Sequence, residues 1–333
     1  MNKWVPNGFW TRNETLVAGV ILLFCIAATL SDPLFFSVTT LSDLLRASIV
    51  IGILAIGAML VLVSGGIDVS FTAIAVFAMY SSTVLALAVW PDMPWPLIFM
   101  ISIVIGALLG AVNGLFIAIF GLPTLIVTLG TLSVFRGFLL TFIGSQRISA
   151  LPPEMRDFSR GVIARGTTES GSFYSFPWAL AALIVVLVVT WFILHKTMLG
   201  RSIYAIGGSA ESARRLGINV KGTQFFVYVY VGVLAGLAGI IHGSMGRMAD
   251  PFSLVGLELS VIAAVVLGGA RLIGGYGTLT GTLLGVALIV IVQNSLIVVG
   301  IPTTWQSVTI GLLILIGTGV PAYRAKRAAA RAG

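Results

Sequence analysis

The chain has 333 residues, of which 58% are hydrophobic and only 9% charged, and its formal net charge is +8. This balance excludes a soluble globular protein and indicates a polytopic membrane protein. The lysines and arginines lie in short loops and near the C-terminus, as the positive-inside bias produces, so they offer no basic face for nucleic acid.

The N-terminal region predicts a first membrane span and not a cleaved signal. Lys3 and Arg12 precede an apolar run, but Ser31, Asp32 and Pro33 follow it without a small-residue cleavage site. Further apolar runs predict an all-α, polytopic integral membrane protein of about ten transmembrane helices, some of them short or broken by glycines. The predicted spans are residues 15–30, 44–64, 71–90, 97–120, 124–143, 177–194, 223–245, 257–270, 278–299 and 304–320.

Ten spans place both termini on one side of the membrane, in a single transmembrane domain that covers residues 1–333. The N-terminus, residues 195–222 and the C-terminal tail are rich in lysine and arginine, so all three are predicted to be cytoplasmic. Residues 144–176, the longest polar stretch, are then external. They carry four arginines against three carboxylates, which makes this loop the least regular part of the charge pattern.

Three glycine breaks interrupt the apolar runs with almost no polar loop: residues 65–70 (GGIDVS), 121–124 (GLPT) and 268–277 (GGARLIGGYG). Irregular backbone at membrane depth must be buried in protein or line a wet cavity, and such breaks are typical of substrate sites in transporters. The candidates for a polar substrate pathway are Gly65, Gly66, Asp68, Ser70, Asn113, Arg136, Gln293 and Asn294.

Each pathway candidate also has a purely structural interpretation. Arg136 and Asp68 could form an internal salt bridge that serves assembly alone, and Glu258 adds a further charge at the start of the eighth span. Hydrogen bonding between helices is the favoured interpretation of Asn113, Gln293 and Asn294. Glycines four residues apart in the fourth, seventh and ninth spans predict closely packed helices and not a pore.

Residues 195–222 carry five basic residues against one acid. Gly207 and Gly208 are predicted to break the chain, Ser209 to cap a helix over residues 210–216, and Gly217 to end that helix. The result is about two turns of polar helix outside the membrane, on which a partner protein could dock. The alternative is a solvated basic loop that only fixes orientation.

Four phrases carry a resemblance that covers nearly the whole chain: GGIDVS (65–70), TLGTLSVFRG (128–137), GRSIYAIGGSAESARRLGI (200–218) and AAVVLGGARLIGGYGTLTGTLLG (263–285). In this order they resemble the permease subunits of bacterial ABC importers of the ribose, xylose and arabinose type. The resemblance implies a permease in the lipid of the bacterial inner membrane that imports a monosaccharide or related small sugar. It also implies a second permease copy or a paralogue, an ATP-binding cassette subunit below and a periplasmic sugar-binding protein above.

Within that resemblance, residues 195–222 are the coupling segment that contacts the ATPase, and residues 144–176 face the periplasm. The family motif is E-A-A, three further residues and then glycine, and here it stands as Glu211, Ser212, Ala213 and then Gly217. Ser212 departs from the family's alanine, but both residues are small. The residues implied to contact the ATPase are Gly208, Glu211, Ser212, Ala213, Arg214, Arg215 and Gly217.

The sequence predicts no catalytic residue and no metal site. It has no G-x-x-x-x-G-K-[ST] phosphate loop, so ATP and Mg²⁺ are expected in a partner subunit and no cofactor in this chain. One cysteine and two isolated histidines offer no metal-ligand spacing, and no nucleophile–base pair supports an intramembrane enzyme. An ion-coupled secondary transporter is the alternative, although Asp68 and Glu258 offer it little and the basic segment would be unexplained.

Overall fold

The computed structural model describes residues 13–31, 33–168, 171–298 and isolated positions between 302 and 319. It is mainly helical, which confirms the predicted all-α, polytopic membrane class. The helices are α1 (Asn13–Ser31), α2 (Val38–Val63), α3 (Phe71–Val89), α4 (Trp95–Gly114), α5 (Thr124–Phe138), α6 (Pro153–Arg160), α7 (Ala179–Lys196), α8 (Met198–Gly208), α9 (Ala210–Arg215), α10 (Val220–Gly246), α11 (Leu257–Leu267) and α12 (Leu279–Val298). A 3-10 turn (Pro33–Phe36) precedes α2, and π-helical turns extend α4 (Leu115–Ile119) and α5 (Leu139–Ile143).

Seven of the described helices are long and apolar enough to cross a membrane: α2, α3, α4, α5, α7, α10 and α12. α1 and α11 are shorter apolar helices. With 11 residues, α11 is about 16 Å long, roughly half the thickness of the hydrocarbon core. Nine predicted spans thus coincide with helices, with shifted ends. The tenth, residues 304–320, lies mostly outside the described residues, so the total of ten remains a prediction.

α2 forms the centre of the bundle. Nearly every side chain from Ile49 to Val63 is buried, because this half of the helix packs against α7, α10, α11 and α12. A helix that is apolar on all sides needs such neighbours around its whole circumference. α10 joins this centre to α3 and α4, and α5 packs on α3 and, less extensively, on α4.

α4 and α10 pack closely along an extended contact, and glycine makes this approach possible. A Cβ atom on Gly106 would overlap the carbonyl oxygen of Gly232 and lie 2.9 Å from the Cα atom of Gly236. Ser102 adds a hydrogen bond from its hydroxyl to the Gly236 carbonyl, at 2.8 Å. The four-residue glycine spacing was therefore interpreted correctly as helix packing.

The loop of residues 144–176, which the sequence predicts to be the outer loop, departs from the all-α expectation. After α6, strands β1 (Val162–Thr167) and β2 (Phe173–Pro177) pair as an antiparallel hairpin. The loop is tied to the bundle, since Arg46 of α2 donates to the Ser175 hydroxyl at 3.0 Å and Arg147 pairs with Asp250 at 2.8 Å. Asp250, which is distant in sequence, therefore compensates part of the positive charge that made this loop look irregular.

α7 connects this loop to residues 195–222, and its 18 residues span about 27 Å, enough to place its two ends on opposite membrane faces. Cysteine replacements at Ser172 and at Leu216, whose side chain is exposed, test this orientation in a Cys25→Ala background. An impermeant maleimide should label Ser172→Cys in intact cells and Leu216→Cys only after permeabilisation. Labelling of both positions in intact cells would contradict the predicted topology.

Candidate functional site

Three of the pathway candidates meet at the break between α2 and α3. The backbone amide and the hydroxyl of Ser70 both donate to Asp68 Oδ1, each at 2.7 Å. Asn113 of α4 then donates from Nδ2 to the Ser70 hydroxyl, also at 2.7 Å. All three residues are buried, so the interruption of α2 and α3 holds a polar group inside the bundle.

Two oxygen atoms of this polar group have no hydrogen-bond partner within the described part of the chain. Asp68 Oδ2 and Asn113 Oδ1 are buried and accept no hydrogen bond there. A buried acceptor without a partner costs about 1–3 kcal/mol, and native proteins retain few of them. The arrangement therefore costs stability and provides two oxygen acceptors beside an irregular stretch of backbone, which is the chemistry expected of a polar path.

The two glycines of the same break shape its backbone. Gly65 has φ of +87°, a left-handed conformation that favours glycine. A Cβ on Gly66 would lie 2.7 Å from the hydroxyl oxygen of Tyr228 on α10 and 3.2 Å from Thr124 Cγ2. The Thr124 hydroxyl also accepts the Ile67 amide at 3.1 Å. Two of the predicted breaks, 65–70 and 121–124, therefore contact each other.

Arg136 has a different partner from the one considered in the sequence. Its Nη2 lies 3.8 Å from Glu258 Oε1, so the ion pair joins α5 to α11 and does not involve Asp68. Glu258 Oε2 also accepts the Thr72 hydroxyl and the Gly256 amide, both at 3.1 Å. Glu258 thus links α3, α5 and the start of α11, a role that its sequence position did not reveal.

Gln293 and Asn294 stand apart from this polar group. Asn294 Nδ2 donates to the carbonyl of Val290 in its own helix, at 2.8 Å. The backbone carbonyl of Gln293 accepts from Gln306 Nε2 at 3.2 Å. Among the described residues, no hydrogen bond connects either α12 side chain with Asp68 or Arg136.

The basic segment contains two helices, where the sequence predicted one. Gly207 and Gly208 are the last residues of α8 and do not break the chain before a helix, so that prediction was wrong. The interruption lies at Ser209, whose hydroxyl accepts the Ser212 amide at 3.2 Å, and this confirms the predicted cap. Gly217, with φ of +82°, follows α9 as predicted.

α9 has one buried and one exposed face. Ala213 is buried in a small apolar cluster with Ile206 and Val220, which fixes α9 on α8 and α10. Ser212 is exposed, and on the open face Glu211 pairs with Arg214 at 3.6 Å and with Arg215 at 3.1 Å. Exposed pairs contribute at most about 1 kcal/mol, so these charges can exchange partners readily.

The end of α8 meets two of the glycine breaks at one point, here called the glycine junction (Gly65, Gly207, Gly274 and Gly275). A Cβ on Gly207 would overlap the carbonyl oxygen of Val63, the last residue of α2. That same oxygen accepts the Gly275 amide at 2.9 Å. The positive φ values of 89° at Gly274 and 75° at Gly275 bring the 268–277 hairpin to this position.

A side-chain hydrogen bond reinforces the contact between α8 and the hairpin. The hydroxyl of Tyr204 donates to the Gly277 carbonyl at 2.8 Å. Burial, followed by the proximity of Tyr276, raises the pKa of Tyr204, so the hydroxyl remains a neutral donor. α11 runs from Glu258 to the start of this hairpin. One short helix therefore connects the Arg136 ion pair with the end of α8.

Among the described residues, no group of three or more His, Cys, Asp or Glu side chains could hold a metal ion. This part of the chain contains a buried polar group, an ion pair that involves a candidate membrane span, and a short exposed helix packed on α8 and α10.

Comparisons with known proteins agree with this description. The family model described as "Branched-chain amino acid transport system / permease component" matches residues 40–317. The autoinducer 2 import system permease protein LsrC of Enterobacter sp. (strain 638) is 33% identical over 306 residues, which cover 91% of this chain and 85% of that protein. The corresponding protein of Yersinia pestis (strain Pestoides F) is 30% identical over 315 residues, covering 95% and 85%.

A third relative comes from a different bacterium. The probable ABC transporter permease protein y4mJ of Sinorhizobium fredii (strain NBRC 101917 / NGR234) is 33% identical over 317 residues, which cover 95% of this chain and 91% of that protein. No solved structure matches the chain.

Proposed function

We propose that this chain is the membrane subunit of an ATP-driven importer. It belongs to the permease family described as "Branched-chain amino acid transport system / permease component" and is an ABC transporter permease. The transported solute is a monosaccharide or related small sugar. A periplasmic binding protein delivers it on the outer side of the bacterial inner membrane, and the permease releases it into the cytoplasm, where both chain termini lie.

The proposal rests on the position of α8 and α9, which lie between the exposed charges of the basic segment and the helix bundle. α9 offers exposed charges on a short capped helix, while α8 ends in the glycine junction against α2 and the 268–277 hairpin. Since the chain has no phosphate-binding loop, the energy of ATP must reach it through a partner. A rigid helix pair transmits a displacement better than a solvated loop.

The docking of an ATPase rests on the same reasoning, and the pairing of two permeases rests on the motif resemblance. We propose that an ATP-binding cassette subunit, which binds ATP and Mg²⁺, docks on residues 195–222, and that the permease works as a pair with a second copy or a paralogue. The sugar class rests on the motif resemblance. Autoinducer 2, which appears in the names of two relatives, is a further solute for direct transport assays.

The proposal is tested by reconstituting the permease in proteoliposomes with an ATP-binding cassette subunit and a sugar-binding protein from the same bacterium. In the double variant Glu211→Lys/Gly217→Val, the first change reverses the charge that holds both arginines. The second change forces a β-branched residue to a positive φ at a cost of about 1–2 kcal/mol. Stimulation of ATP hydrolysis by sugar-loaded binding protein should fall about tenfold or more, the result of ~1.4 kcal/mol of lost coupling.

The matched control is Glu154→Lys, which reverses a partly exposed charge in the first turn of α6, on the outer loop. It should leave stimulation and co-purification with the ATPase unchanged. If the double variant keeps both properties at normal abundance, the segment only sets orientation.

A second candidate function is that of an ion-coupled transporter. It is favoured by Asp68, because the buried Oδ2 of this residue lacks a hydrogen-bond partner in the described part of the chain. Uptake assays in vesicles without ATP distinguish the two mechanisms. Uptake driven by an imposed proton or sodium gradient supports ion coupling, whereas uptake that requires ATP and the binding protein supports the importer.

A further inference from the structure

We infer that a cavity beside Arg46 and His242 is a holding site for a small polyhydroxylated solute, at a place separate from the pathway candidates. The inference rests on the proposed import function and specifies where, in the half of the protein next to the outer loop, the solute is held.

The cavity has a volume of about 500 Å³, within the range of roughly 300–1,000 Å³ typical of small-molecule pockets. It lies between the outer half of α2, the end of α10 and the residues that lead into α11. Arg46 connects it to the outer loop through the Ser175 hydroxyl. The cavity therefore opens near the side from which an imported solute arrives.

Its polar lining consists mainly of hydrogen-bond donors. Arg46 uses one nitrogen for Ser175, and a guanidinium group has five N–H donors in total. His242, Ser253 and Ser260 add an imidazole and two hydroxyls. Apolar side chains, among them Ile51, form the remaining wall. Such a lining suits a molecule with several oxygen acceptors and an apolar face of C–H groups.

The charge of the lining discriminates between solute classes. No carboxylate belongs to the cavity lining in the described part of the chain. The carboxylate of an amino acid can pair with Arg46, but its ammonium group finds no ionic partner in this lining and loses hydration at a cost. The hydroxyl and ring oxygens of a sugar accept hydrogen bonds from the same groups and bring no further charge into the cavity. The cavity therefore favours a neutral, oxygen-rich solute over an amino acid.

The cavity is also joined to the machinery described above. Gly256 and Leu257, at the start of α11, form part of its wall. The Gly256 amide donates to Glu258, which pairs with Arg136. The other end of α11 leads to the glycine junction beside α8. A solute in the cavity therefore contacts the end of the helix that reaches the coupling segment.

The test uses Ser253→Cys in a Cys25→Ala background, in cells that express the complete importer. Ser253 lines the cavity and is solvent-exposed, so an impermeant maleimide should reach its replacement from outside. Ribose, xylose, arabinose and leucine serve as probes, and uptake of each is measured in parallel. A probe at about ten times its dissociation constant leaves about a tenth of the sites free and should slow labelling about tenfold.

Two variants address the mechanism of protection. Arg46→Gln should raise the half-protection concentration about tenfold, because a charge-assisted hydrogen bond is lost. Gly246→Phe should abolish protection, since Gly246 lines the cavity and an added Cβ meets no atom within 4 Å. Gly19→Phe on α1, where a Cβ also meets no neighbour, is the control that should retain protection.

Transport of a sugar without any protection of Ser253→Cys would overturn the cavity site, and so would protection by leucine alone. Protection by a sugar without ATP-dependent uptake would support the site and overturn the proposed function. Loss of both overturns both, and protection by the transported sugar supports both.

Discussion

Replacing Gly207 by valine is expected to abolish ATP-driven uptake, while the same change at its neighbour Gly208 should have a much smaller effect. A side chain at Gly207 would overlap the Val63 carbonyl oxygen and would lie 2.5 Å from the Gly275 amide nitrogen. These two atoms form the hydrogen bond that holds the hairpin to α2. Valine must therefore separate α8 from both elements, which removes the contact through which the coupling segment moves the bundle.

Gly208→Val is a close control. Both glycines end α8, and in both variants the change in helix propensity is the same, well below 1 kcal/mol and favourable to the helix. A Cβ on Gly208, however, meets no atom within 4 Å. We expect uptake to fall about a hundredfold or more in Gly207→Val, because the loss of a buried contact of this kind costs about 3 kcal/mol or more. Gly208→Val disturbs no contact within the described part of the chain, so uptake should fall far less, and any loss there reports on the implied ATPase contact of Gly208.

Uptake is measured together with membrane abundance and thermal stability in detergent. Gly207→Ala gives an intermediate variant, which should retain more protein and still transport poorly. Normal uptake by Gly207→Val at normal abundance would show that the glycine junction does not transmit movement from the coupling segment to the helix bundle.

The transmembrane spans could be predicted because lipid imposes one rule on every helix that crosses it: a long apolar run with satisfied backbone groups. The ends of the short helix α9 could also be predicted from the sequence. Ser209 caps α9 through an amide three residues away, and Gly217 adopts positive φ immediately after the helix. The glycine spacing in α4 and α10 was also informative, since small residues four apart align on one helix face.

Contacts between distant segments could not be predicted in this way. Arg136 pairs with Glu258 and not with Asp68, because the partner depends on how α5 and α11 are placed in the bundle. Gly207 looked like a chain break, but it is a helical residue whose missing side chain admits the end of α2. Hydropathy and residue spacing along the chain do not indicate how two helices are aligned, or at what height along the bundle their residues touch.

The second large effect is expected at the Arg136–Glu258 ion pair. Its side chains are only 25% and 15% exposed, and a charge at membrane depth without a partner is costly. Removing one partner of a fully buried pair costs roughly 3–5 kcal/mol, and partial exposure lowers this to about 1–3 kcal/mol here. Glu258→Gln retains an oxygen that can accept from Thr72 and Gly256, so its main effect is an uncompensated Arg136.

We therefore expect Glu258→Gln to lower uptake at least tenfold, and Arg136→Gln to have a similar effect, because about 1.4 kcal/mol already corresponds to a factor of ten. The double variant Arg136→Gln/Glu258→Gln should transport better than either single variant, since no isolated charge remains. Arg136→Lys, which keeps the charge, should retain most uptake. The coupling energy from this double-mutant cycle is the decisive quantity. If the two single effects simply add, the ion pair does not hold α11 in its working position, and the solute cavity and the coupling segment are not joined through Glu258.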